Sequence, residues 1–147
     1  LAQTKKITDL LNKQFQKEQK FYDEFDLEKP YLHQEFRIEN DSISFEFYYA
    51  PQLENQQKEI MRRVVHLKDI NDFSKDYSIL FLTEENSVIE TIYLEKSSGK
   101  KEIVHQSTTD IFFTELRKDR KDESIQGKMI KAFSKAGYEI IGEYWYH

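Results

Sequence analysis

The chain has 147 residues, no cysteine and a formal net charge of −5, with acidic and basic residues mixed along its length. That length suits one domain with one core, and the periodic apolar residues, 11 Phe and 9 Tyr among them, exclude a disordered segment. The lack of cysteine excludes a disulfide frame, a thiolate metal site and a cysteine nucleophile, and the acidic balance speaks against non-specific binding to nucleic acid or to an anionic membrane. No run approaches the roughly 18 apolar residues that span a bilayer. Leu1-Ala2 ahead of a polar helix reads as the trace of a cleaved secretory signal, so export to a bacterial envelope or medium is expected, with the cytoplasm as the alternative.

Residues 5–28 carry Ile7, Leu10, Leu11, Phe15, Tyr22 and Phe25 at three- and four-residue steps, which predicts an amphipathic helix capped by Thr4 and ended before Pro30. Beyond Pro30 the period becomes two. Phe36 and Ile38 form one strand, Asn40-Asp41-Ser42 a turn, and Ile43, Phe45, Phe47 and Tyr49 the apolar face of a second strand. Ser44, Glu46 and Tyr48 alternate with them and are expected to face water. Residues 58–67 predict a third strand with Met61, Val65 and Leu67 on one face, and Leu67 and Ile70 anchor the turn after it. Residues 78–83 and 87–94 predict a hairpin across Glu84-Glu85-Asn86, whose first strand, Ile79-Leu80-Phe81-Leu82, is apolar on both sides and therefore central. Ser97-Ser98-Gly99-Lys100 leads to a short strand at 101–105, and another follows at 111–115. Ile125, Met129, Ala132, Phe133 and Ala136 mark a second helix at 123–136, with Asp122 or Ser124 as cap and Gly137 as stop. Gly127 inside it suggests a close approach by another element. Residues 138–146 alternate as a terminal, aromatic strand suited to a sheet edge.

The expectation is a single α+β domain over residues 1–147, with antiparallel strands filling 31–115. Seven strands in series must roll up, split into two layers or take a helix as cover. Val64-Val65-His66-Leu67-Lys68-Asp69-Ile70, Ile79-Leu80-Phe81-Leu82, and Phe112-Phe113 ahead of the second helix resemble the third, fourth and seventh strands and the helix of the pleckstrin-homology-like superfamily, over about residues 31–136. The resemblance implies a seven-stranded antiparallel barrel closed at one end by the helix. The N-terminal helix and aromatic tail stand outside that pattern. Asn40-Asp41-Ser42 replaces the Lys/Arg cluster that phosphoinositide-binding members carry in the first hairpin, so the resemblance does not extend to headgroup binding.

His33, His66, His105 and His147 lie far apart and share no metal-ligand spacing. Glu84-Glu85 falls in a turn and Asp69 with Asp72 in a loop, where carboxylates point into water and do not form an acid/base pair. Ser107-Thr108-Thr109-Asp110 lacks the frame of a nucleophile and reads as a bulge or turn whose side chains bond the backbone. No phosphate-loop glycine pattern exists. No cofactor, metal or catalytic residue is expected. Two surfaces carry interest. Arg117, Lys118, Arg120 and Lys121 form a candidate anion contact, although the mixed-charge run also reads as a solvated loop. Tyr144, Trp145 and Tyr146, with Tyr48 and Tyr49 as sheet neighbours, form a candidate interaction surface or an equally plain cover for the core. The function expected is non-catalytic: binding of a protein partner, with self-association through the terminal strand open. The alternative is a small apolar ligand held inside the rolled sheet, and an enzyme with a site assembled from distant residues ranks below both.

Overall fold

The structure is a computed structural model that describes residues 2–51, 57–117 and 124–146. It opens with helix α1 (Ala2–Gln19), which buries Ile7, Leu11 and Phe15 at four-residue steps. The helix starts two residues before Thr4, which is therefore inside it and not its cap. It also stops well short of residue 28. Asp26 turns its carboxylate back onto the Glu28 amide at 2.9 Å, a local bond that competes with helix. Phe25, expected on the buried face, is exposed, while Tyr22 stays buried from the turn that follows α1.

Strands β1 (Pro30–Glu39) and β2 (Ser42–Tyr49) form the expected hairpin. Asn40 and Asp41 both take positive φ, 52° and 61°, which makes a two-residue turn and hands Ser42 to the strand. β3 (Glu59–His66) follows, and His66 Nδ1 accepts from the Lys68 amide at the short 3-10 turn Leu67–Asp69. Leu67 and Ile70 are buried there as anticipated.

At that turn the chain leaves the first sheet. Ile70–Asp76, read as loop from its polar sequence, is strand β4, and it forms a tight hairpin with β5 (Ser78–Thr83). β6 (Val88–Glu95) returns to the first sheet, pairs with β3, and forms a hairpin with β7 (Lys101–Thr109). β8 (Ile111–Phe113) crosses back to β5. The sheets are thus β1-β2-β3-β6-β7 and β4-β5-β8, with every named strand pair antiparallel.

Two expectations are corrected by this order. There is no closed barrel, because β3 pairs with β6 and leaves β4 and β5 to a separate sheet, so the strands split into two packed layers. Residues 78–83 and 87–94 form no hairpin either. Their short connection switches sheets, with the Glu84 amide bonded to Asp69 O at 2.9 Å. β5 is nonetheless the central strand of its sheet, as its two apolar faces require.

Helix α2 (Ser124–Lys135) buries Ile125, Met129, Ala132 and Phe133 and ends at Gly137, whose φ of 94° suits glycine. Among the described residues nothing lies within van der Waals reach of a Cβ at Gly127, against the close approach expected. At Gly142 an added Cβ would collide with the Gln126 side chain. The tail after α2 runs beside β4, but parallel to it and irregularly, through bridges at Asp72–Ile141 and Lys75–Trp145.

A row of phenyl rings ties these layers together. Phe36 stacks on Phe45 at 4.2 Å, Phe45 meets Phe112 at 5.6 Å, Phe112 meets Phe81 at 5.9 Å, and Phe81 meets Phe133 of α2 at 5.6 Å. Residues of α1, α2 and both sheets belong to this one apolar cluster.

Candidate ligand cleft at the sheet junction

Successive strand side chains point to opposite faces, so Arg62 and Arg63 of β3 serve two different sites. Arg63 shares the inner face with Met61, Val65 and Leu67, where a charge needs partners. It has them. Nε donates to Glu90 at 2.7 Å, and Nη1 donates to Glu115 and to Phe113 O, each at 2.8 Å. The guanidinium lies 4.7 Å from the Phe47 ring and 5.8 Å from that of Phe113.

Glu115 owes its position to the backbone. Thr114 and Leu116 are fully buried and tie to β5, the Thr114 hydroxyl donating to Ile79 O at 2.6 Å and Leu116 O accepting from the Ile79 amide at 2.8 Å. Between them Glu115 takes φ = 63°, a conformation unfavourable for a non-glycine residue. Its carboxylate accepts from the Tyr49 hydroxyl, from Arg63 and from Arg117 Nη2 at 2.6 Å. Arg117 Nη2 also donates to the Tyr49 oxygen at 2.8 Å, and the Arg117 amide donates to Glu18 of α1 at 2.7 Å. The network thereby joins α1, β2, β3, β6 and the segment after β8.

Burial pushes the Glu115 carboxyl up, but the charges and hydrogen bonds of Arg63, Tyr49 and Arg117 outweigh it and hold the group below the usual carboxylate range. Burial, then the Glu115 charge and the bond to it, push the Tyr49 phenol well above its ordinary value. Glu115 is therefore ionised and Tyr49 protonated at neutral pH. Above this floor opens a cleft of about 800 Å³, with Leu27, Tyr77 and Phe113 among its lining. Tyr77, at the β4–β5 turn, is 93% exposed and has φ = 49°. Among the described residues Arg117 bonds through Nη2, and its side chain is 35% exposed, so the rest of the guanidinium edge is open to solvent at the cleft.

Arg62 anchors a second cluster on the opposite face of the five-stranded sheet. It donates to Glu46 at 3.0 Å, which also accepts from the Tyr93 hydroxyl, and His33 Nε2 lies 3.0 Å from Glu95 and 3.9 Å from Glu46. Burial pushes Glu46 up, but the bonds from Tyr93 and Arg62 bring it below its ordinary value. This corrects the expected wet face of β2: Ser44 and Glu46 are buried beneath the side chains of neighbouring strands. A trough of about 520 Å³ lies over this face.

Of the residues singled out from sequence, Tyr49 and Arg117 enter the cleft together. Lys118, Arg120, Lys121 and His147 lie outside the described residues. Tyr48 points away from Tyr49 and stacks on Tyr31 at 5.4 Å, with the Lys58 ammonium 4.3 Å from its ring. The tail does not join them, because it lies on β4 in the other sheet. There Tyr144 and Tyr146 stack in the open at 5.7 Å, while Trp145 turns inward to 6.1 Å from Phe73 and 5.7 Å from the buried Lys75 ammonium. Trp145 is core cover; the two tyrosines are exposed.

Asp72 is buried in β4, where it accepts from Ser74 and from the Glu143 amide, and so helps seat the tail. Glu84 and Glu85 are exposed as expected. Among the described residues no three His, Asp or Glu side chains are grouped to hold a metal ion, and neither helix is long and apolar enough to cross a membrane. Arg63 and Glu115 were missed from sequence, although an arginine among Met61, Val65 and Leu67 was the available sign of a buried partner. Comparison of the chain with protein-family models, with curated proteins and with solved structures gives no match.

Proposed function

We propose that the chain is a non-catalytic binding domain that holds its ligand in the cleft over Glu115. The supporting observation is the combination of an open, apolar-rimmed cleft with the partly exposed Arg117 guanidinium at its floor. A mainly apolar ligand with a hydrogen-bond acceptor at one end fits both parts, its body against Leu27, Phe113 and Tyr77 and its polar end toward Arg117. This reading moves the apolar ligand from the inside of a rolled sheet to the cleft beside the core, because phenyl rings fill the interior.

The chemistry of the floor favours binding over catalysis. An ionised carboxylate held low by two guanidiniums and a phenol is a weak base and no acid at neutral pH. A tyrosine in a strained conformation, almost wholly exposed, has no packing reason to persist, and such outliers gather at binding sites.

Anilinonaphthalene sulfonate, an aromatic anion that fluoresces in apolar surroundings, is the probe. The folded protein should bind it, and Tyr77→Gly and Arg117→Met should each weaken binding by about tenfold. Glycine suits the backbone at Tyr77, so that variant should melt no lower than the parent. Probe binding that ignores both substitutions would overturn the reading.

A further inference from the structure

Among the described residues the two sheets leave one long edge open. On the five-stranded sheet, the β1 edge is covered by α1, where the Asn12 amide donates to Phe36 O and its oxygen accepts from the Phe36 amide, both at 2.9 Å. Gln19 donates to Pro30 O at the start of the same strand. On the second sheet the tail occupies the β4 edge, and β8 is only three residues long. β7 is different. Among the described residues it is hydrogen-bonded to β6 alone, and it is exposed at every position but Thr109. Ile103 and Val104 on it are 63% and 53% exposed. An uncovered strand of this length offers its backbone groups and apolar side chains to another strand.

The charges along the edge indicate the occupant. Lys100, Lys101 and Glu102 stand at one end of β7, and Ser107, Thr108, Thr109 and then Asp110 at the other. Laid antiparallel on a second copy with His105 opposite itself, Lys100 faces Asp110, Lys101 faces Thr109, Glu102 faces Thr108 and Ile103 faces Ser107. Like charges never meet, and each of two symmetric ends gains an opposite-charge pair. A parallel pairing would set lysine against lysine, which is destabilising. We infer that β7 is a self-association edge, pairing antiparallel with β7 of a second copy across a twofold axis and continuing the five-stranded sheet into its neighbour. The register shift opposite Ile92 and Tyr93 bends the strand in its middle, which weakens the pairing of the two copies there.

Sedimentation velocity on the full chain over a range of concentrations tests this. The parent should pass from monomer to dimer. Lys100→Asp and Asp110→Lys, both on the surface, should each weaken the dimer about tenfold or more, and the double variant should restore it. His105→Pro, which removes a backbone donor from the strand, should abolish it. Circular dichroism and cleft binding of anilinonaphthalene sulfonate should be unchanged in the charge variants, which separates this edge from the proposed ligand site. A chain that stays monomeric at every concentration, a dimer indifferent to the charge swaps, or a double variant that fails to recover would each overturn the inference.

Discussion

Glu115 shows how one buried carboxylate can tie a site together. Its side chain lines the cleft with Phe113 and Arg117, and from a backbone at φ = 63° its carboxylate meets Arg63, Tyr49 and Arg117. The conformational cost is accepted because two guanidiniums would otherwise lose their shared carboxylate. Glu115→Gln keeps the shape and removes the charge, and at neutral pH it should cost about 3 kcal/mol of stability, the scale of a broken buried pair. The pH dependence has a definite sign. A carboxyl whose folded pKa is depressed contributes stability above its unfolded value, about 4.3, and loses it as pH falls through the lower folded value. Urea unfolding of parent and variant should therefore differ fully at pH well above that value and converge in acid. A gap that stays constant on acidification would show that Glu115 is not held ionised by its partners. Tyr49 acts in the opposite range: its raised pKa keeps the phenol protonated, and its contribution falls away as alkali ionises tyrosine in the unfolded chain.

Among the elements, α2 offers the plainest engineering test. Gly127 lies in its interior with open space where a Cβ would go, so Gly127→Ala should stabilise the protein by about 1 kcal/mol, read as a raised melting temperature. No gain would mean that another element reaches the helix there after all. The same substitution at Gly142 would push Gln126 away from Phe73 O, which its amide reaches at 2.9 Å. Glycines alike in sequence thus have unlike roles, and only the packing around them tells which is which. Strands were legible where apolar residues alternate, as in Ile43, Phe45 and Phe47, or run together, as in Ile79 to Leu82. β4 was not, because Asp72, Ser74 and Lys75 are buried polar residues that read as loop. The connection Glu84-Glu85-Asn86 is as short as a hairpin turn, and nothing local says that it leads to a different sheet. The cleft was half legible for the same reason: Tyr49 and Arg117 were noticed for their side chains, whereas Glu115 depends on a tertiary partner 52 residues away.

For the molecule as a whole, Phe112 is the joint between layers, touching Phe45 of the first sheet and Phe81 of the second. Phe112→Ala should cost about 3–5 kcal/mol and shift a single cooperative unfolding transition, followed by both tyrosine fluorescence and far-ultraviolet circular dichroism. Transitions that separate between the two probes would show that the sheets hold together independently. The tail has a consequence of another kind. Residues 138–146 seat themselves against β4 through amides of Phe73 and Lys75 that donate to Ile141 O and Tyr144 O at 2.8 and 3.1 Å. A ribosome delivers β4 about seventy residues before this segment, so throughout that interval the nascent chain carries an unguarded border. The stretch that closes it is translated well after the strand it covers. Until then the same border can accept the tail of a finished neighbour, so strand exchange between copies is a hazard of synthesis that the completed molecule no longer faces.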